Sequence, residues 1–177
     1  FGHNRVHIID GGQTRWKQLN YPMSSEQPTS ITKNFKAQYC SELVFNLKEM
    51  KFVLTSKSRQ IIDARSTDSF LGQRRLAEAA LQPGHIPDSI NIPYAHLMDS
   101  TQKTLFSDQT LQSLFKHAHI NLSDPIVTTC GSGVSAAVLA LALYQIGCKD
   151  IPVYDGSWAE WGRQVDTPKH TKKLHER

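Results

Sequence analysis

The chain has 177 residues with 20 Lys and Arg against 16 Asp and Glu, a net charge of +4, and 39% apolar residues. That length holds one α/β core with extensions and not two full domains. No apolar run approaches the ~20 residues of a membrane span, and the basic residues neither line one helix nor alternate with aromatics, which excludes membrane and nucleic-acid partners and leaves small anions as the ligands this charge suits.

In chain order, the first pattern is Ile8-Ile9-Asp10-Gly11 followed by Trp16, and it returns as Val153-Tyr154-Asp155-Gly156 followed by Trp161. The two copies lie a domain's length apart. Residues 1–20 therefore read as a remnant, the end of a first domain whose earlier strands are missing, and any targeting segment is expected upstream or removed. Residues 21–37, polar and broken by Pro22 and Pro28, read as a linker. Residues 38–165 then alternate. Asn46 to Lys57 is helical in pattern, Gln60-Ile61-Ile62 is a strand ending at Asp63, and Ser89 to Ile92 is a strand before Pro93. Leu111 to His119 is a helix, Pro125 to Thr129 a strand, Val134 to Ile146 an apolar helix ended by Gly147, and Ile151 to Tyr154 a strand. Apolar strands without alternating polarity, each followed by a helix, predict a buried parallel sheet with helices on both faces. Residues 166–177, rich in Lys and His, read as a basic, solvated tail.

The chemistry-bearing segment is Thr129-Cys130-Gly131-Ser132-Gly133-Val134-Ser135-Ala136. A Cys there ends a central strand, and two glycines open a helix. Ligands of parallel sheets bind at the carboxyl ends of strands. Gly131 and Gly133 permit backbone geometries that turn successive N–H groups inward as an anion nest at the positive end of a helix, and Ser132 and Ser135 add hydroxyls. Such a field stabilises a thiolate. Cys40 and Cys148 read as small packing residues. An odd number of cysteines without a Cys-x-x-Cys pair excludes a disulfide scaffold and a thiolate zinc site and points to a reducing intracellular compartment, cytoplasm or mitochondrion.

This loop resembles the active loop of the rhodanese and 3-mercaptopyruvate sulfurtransferase family. Asp63-Ala64-Arg65-Ser66, Gly84-His85-Ile86-Pro87-Asp88-Ser89-Ile90-Asn91-Ile92-Pro93 and Tyr154-Asp155-Gly156-Ser157-Trp158-Ala159-Glu160-Trp161 resemble the same family's second, catalytic domain in order and spacing. The resemblance implies a rhodanese-like three-layer α/β fold with a five-stranded parallel sheet. It also implies Cys130 as the nucleophile that carries sulfur as a persulfide, and residues 131–135 as the substrate-binding loop. Neither a metal nor an organic cofactor is implied. Small anionic sulfur donors, thiol acceptors such as thioredoxin or a small thiol, cyanide, and a preceding first domain are the implied partners.

Asp63 and Arg65 either reach this loop or form a structural ion pair, and His85 reads as shaping a turn. His117 and His119 lack a third metal ligand, and Trp158 and Trp161 read as core aromatics. The sequence departs from mercaptopyruvate-using relatives where they carry substrate arginines: Ser69 and Glu78 stand there, with Arg74 and Arg75 between them as possible substitutes. Two rivals remain on sequence. One is a non-catalytic interaction module of this fold. The other is a Cys-dependent phosphatase, which needs a loop closed by Arg where this chain has Ala136.

Overall fold

The structure, a computed structural model, describes residues 2–3, 5–29, 31–74 and 80–171. Five strands form one sheet: β1 (Val44–Phe45), β2 (Gln60–Asp63), β3 (Ile90–Asn91), β4 (Ile126–Thr129) and β5 (Val153–Tyr154). They run parallel in the order β1-β5-β4-β2-β3, so β4 is central. The helices are α1 (Gly12–Gln18), α2 (Leu47–Ser56), α3 (Thr67–Phe70), α4 (Asp108–His117), α5 (Val134–Gln145) and α6 (Ser157–Trp161).

The sheet is apolar on both faces because neighbouring side chains of a strand point to opposite sides. Ile62 of β2 and Ile126 of β4 pack with Phe115 of α4 and Leu139 of α5. Ile61 and Val127 pack on the other side with Met50 of α2 and Trp161 of α6. Three layers follow, as the strand and helix pattern predicts.

Helix boundaries trace to their caps. Asn46 Oδ1 accepts the N–H groups of Lys48 and Glu49 at 2.9 and 3.2 Å, while the Asn46 N–H donates to Glu49 Oε2 at 2.7 Å, a reciprocal capping box that starts α2. Ser107 caps α4, which therefore begins at Asp108, ahead of the Leu111 start that apolar spacing predicts.

Four features differ from the sequence expectation. β1 was not foreseen, since two residues carry no periodicity; it exists because Val44 and Phe45 pair with Val153 and Tyr154 along the sheet edge. Residues 6–9 form no strand. Instead Asp10 Oδ1 accepts the Leu105 N–H at 3.0 Å and Gln18 Nε2 donates to Thr101 O at 2.9 Å, which ties the segment to the chain between residues 101 and 105, ahead of α4. Cys40 is exposed rather than packed, whereas Cys148 is half-buried against Leu122 O. Finally, the start of the predicted solvated tail is tied down: Thr167 is buried, the Trp161 indole N–H donates to Pro168 O, and His85 and His170 exchange backbone hydrogen bonds of 2.9 Å each. Buried polar groups of the core need partners, and this strand-like segment supplies them.

Candidate active site at the end of β4

β4 ends at Thr129, and the next residue, Cys130, is 2% exposed. The chain then turns through Gly131, Ser132 and Gly133 into α5. Gly133 has φ 84°, and a Cβ there would stand 3.2 Å from Asp155 O, so glycine answers both the left-handed backbone and the close approach. Gly131 is different: its φ is not left-handed and a Cβ would meet nothing within 4 Å, so the expectation that both glycines serve special geometry is corrected to one.

Burial alone would push the Cys130 thiol up. The Ser135 hydroxyl, the backbone N–H groups of Ala136 and Ser132, and the Ser157 hydroxyl stabilise the thiolate and outweigh it, holding the thiol below its ordinary 9.0. The Ser135 hydroxyl was foreseen as a donor; Ser132, expected to offer its hydroxyl, offers its backbone N–H instead. Ala136 was not foreseen, although its N–H belongs to the first turn of α5, whose amides have no partner within the helix. The Gly133 N–H does not join the nest; it donates to Ser157 Oγ at 3.0 Å.

A second segment, Ser157-Trp158-Ala159 after β5, grips the loop from behind. Ser157 Oγ accepts the Cys130 N–H at 3.2 Å, donates to Tyr154 O at 2.7 Å and lies 3.9 Å from Cys130 Sγ. The Trp158 and Ala159 N–H groups donate to Cys130 O and Gly131 O, both at 2.9 Å. Trp158 and Trp161 are buried core aromatics as read from sequence. Ser157 escaped that reading; its one signal is a small hydroxyl residue directly after Asp155-Gly156 at the end of the last strand.

Cys130 lines a cavity of about 700 Å³ with Gly131, Ser132, Val134 and Ser135 of the loop, Arg65, Ser69 and Arg74 from the chain after β2, and Tyr94 after β3. Tyr94, 44% exposed, is a wall that sequence reasoning missed. Between the two sequence alternatives for Asp63 and Arg65, the ion pair is the one formed. Arg65 Nη2 and Nε donate to Asp63 Oδ2 at 2.6 and 2.9 Å, Nη2 donates also to Gly84 O, and the guanidinium lies 4.5 Å from the Trp158 ring centroid. Arg65 thus borders the cavity with its charge engaged. Ser69 Oγ accepts from Ser66 Oγ at 2.9 Å, and Arg74 is exposed at the rim. Arg75 and Glu78 lie outside the described residues. His85 is buried and stacked on Phe70 at 3.7 Å, with Nδ1 2.7 Å from Phe70 O, a structural place. His117 turns to Ser113 O, and no group of three His, Cys, Asp or Glu able to hold a metal occurs among the described residues.

Residues 46–164 match the family model for the rhodanese-like domain. The chain belongs to the rhodanese-like domain family. This rhodanese-like domain is 37% identical to human 3-mercaptopyruvate sulfurtransferase over 91% of this chain and 54% of that protein. It is 34% identical to a thiosulfate/3-mercaptopyruvate sulfurtransferase of Arabidopsis thaliana named as mitochondrial, over 95% of this chain and 50% of that protein. The crystal structure of Tum1 from Saccharomyces cerevisiae superposes with a TM-score of 0.73 at 28% identity, covering 90% of this chain and 58% of that one. The chain spans about half the length of the relatives it matches.

Proposed function

We propose that this domain is a sulfurtransferase in which Cys130 carries a sulfane sulfur from a small anionic donor to a thiol or to cyanide. The observation that carries the reading is the convergence of the Ser135 hydroxyl and the Ser132 and Ala136 amides on one buried thiol at the floor of an open cavity. With thiosulfate, the Cys130 thiolate attacks the outer sulfur, the S–S bond breaks, and sulfite leaves with the electron pair. With 3-mercaptopyruvate, the C–S bond breaks and the enolate of pyruvate leaves and takes up a proton. Either route leaves a Cys130 persulfide, whose terminal sulfur carries the charge the loop donors stabilise. An acceptor thiolate, on a small thiol or a redox protein of the thioredoxin type, then attacks that sulfur and returns the Cys130 thiolate. The names of the human and Arabidopsis relatives support both donors, and the free state of Cys40, Cys130 and Cys148 together with the Arabidopsis name supports a reducing compartment, cytoplasm or mitochondrion. No helix among the described residues is long and apolar enough to cross a membrane.

Incubation of the full chain with each donor, followed by intact mass and peptide mapping, should show one added sulfur on Cys130 and none in Cys130→Ser. A folded protein that gains no sulfur from either donor overturns the reading. It would favour an interaction module.

A further inference from the structure

Ser157 sits in a backbone conformation its residue type disfavours. Its φ is 49°, in the left-handed region, while its neighbour Gly156, for which that region is free, has an ordinary φ of −60°. Gly156 is needed for space, because a Cβ there would run into Glu160. No such demand explains Ser157. Persistent strain of this kind marks a position that the surrounding structure over-determines.

The side chain supplies the reason. Ser157 is wholly buried, and its hydroxyl is fully engaged: its one proton faces Tyr154 O at 2.7 Å, with Cys130 Sγ the more distant second acceptor at 3.9 Å, and it accepts two N–H groups, from Cys130 at 3.2 Å and Gly133 at 3.0 Å. Those two residues bracket the loop. Cys130 is the nucleophile, and Gly133 is the left-handed hinge into α5. We infer that Ser157 is a positioning residue, whose hydroxyl holds the Cys130 and Gly133 amides from behind and so fixes the one loop conformation in which Ser132, Ser135 and Ala136 aim their donors at Cys130 Sγ. The backbone grip of Trp158 and Ala159 on the carbonyls of Cys130 and Gly131 fixes where the loop lies; the hydroxyl fixes which way its amides face. Without it, two buried N–H groups lose their acceptor and the loop rotates to find others. That this geometry serves sulfur transfer rests on the function proposed above, whereas the geometry itself is read on the thiol.

Two variants separate positioning from mere structure. Ser157→Ala keeps the strained backbone and lacks the hydroxyl; Ser157→Gly lacks the hydroxyl and removes the strain. The test is the pH dependence of Cys130 alkylation in the full chain, resolved by peptide mass spectrometry so that Cys40 and Cys148 are read separately. Both variants should raise the midpoint by about one unit, which is roughly a tenfold slower alkylation at neutral pH, with a parallel fall in sulfur loading. The Gly variant should melt no lower than the Ala variant. If Gly restores the wild-type midpoint that Ala loses, strain and not the hydroxyl governs the loop and the inference fails. It fails equally if either folded variant keeps the wild-type midpoint. A wild type that takes up no sulfur, with the midpoint still shifted in both variants, sinks the sulfurtransferase reading and supports the positioning role.

Discussion

The Asp63 carboxylate is 1% exposed and Arg65 9% exposed, and the guanidinium is held on three sides by that carboxylate, Gly84 O and the face of Trp158. A buried pair of this kind contributes little over an apolar pair of equal shape, but removing one partner strands the other's charge. Arg65→Ala should therefore cost about 3–5 kcal/mol in urea unfolding, and adding Asp63→Asn should recover part of that loss. Under the function proposed above, donor choice falls to different residues. The mercaptopyruvate carboxylate is best gripped by a bidentate Arg, and the described cavity offers Ser69, paired with Ser66, where that Arg is expected. Thiosulfate is small enough to be held by the loop donors themselves. Ser69→Arg should raise kcat/KM for 3-mercaptopyruvate by about one decade relative to thiosulfate, the worth of one charge-assisted contact; an unchanged ratio would show that Arg74 already fills the role. Cys130 and the loop around it were legible because thiol, glycines and helix start are contiguous in sequence. Ser157 was not, since it lies 27 residues from Cys130 and meets it only because β5 pairs with β4.

Elements with a long apolar period or a cap were legible within a turn: α2 by Asn46 and Glu49, α5 by its unbroken apolar run, β2 and β4 by residues buried on both faces. β1 and the segment after α6 were not, because each exists only through a distant partner. Thr167 and His170 have no helical or strand signature, yet Trp161 O accepts the Thr167 hydroxyl at 2.6 Å and His170 bridges to His85. That bridge is a backbone one, and the His85 ring beside it is stacked on Phe70. Burial lowers the His85 pKa below its ordinary 6.5, His170 and Arg65 lower it further, and the Phe70 carbonyl and Asp63 only partly oppose them. Because Phe70 O accepts, Nδ1 carries the proton of the neutral ring. The folded value lies below the unfolded one, so the unfolded chain binds this proton first. The contribution of His85 to stability is therefore complete above 6.5 and is lost as pH falls from there through the lower folded value. Thermal midpoints measured from neutral pH downward should fall through this window, and the fall should shrink in His85→Phe, which keeps an aromatic ring against Phe70 and does not titrate. An equal fall in both proteins would place the acid sensitivity elsewhere.

On the scale of the whole chain, the five strands and both apolar clusters lie between Val44 and Trp161, and α5 and β4 meet at the centre. The described residues before Ser41 contribute nothing to either cluster. Ile8 and Ile9 are 67% and 59% exposed, Ile31 and Phe35 80% and 58%, and the described residues from 21 to 40 form neither helix nor strand. Such backbone has no ladder to lose when it bends into a protease, so local opening there requires almost no free energy, whereas opening α5 requires breaking the core itself. The hold on the first twenty residues is similarly slight. Among the described residues, its hydrogen bonds to the domain are those of Asp10 with Leu105 and of Gln18 with Thr101, both exposed, each worth about 1 kcal/mol or less in net terms. A low-specificity protease at low concentration should therefore cut first between Asn20 and Ser30. The N-terminal piece should then separate, leaving a fragment that retains the sheet, the Cys130 loop and the wild-type thermal midpoint. That fragment should also keep the wild-type alkylation profile of Cys130, because every donor to the thiol belongs to residues 132–157. Early cleavage within α5, or a midpoint that drops once residues before Ser41 are removed, would show that the leading segment supports the domain through contacts stronger than the hydrogen bonds of Asp10 and Gln18.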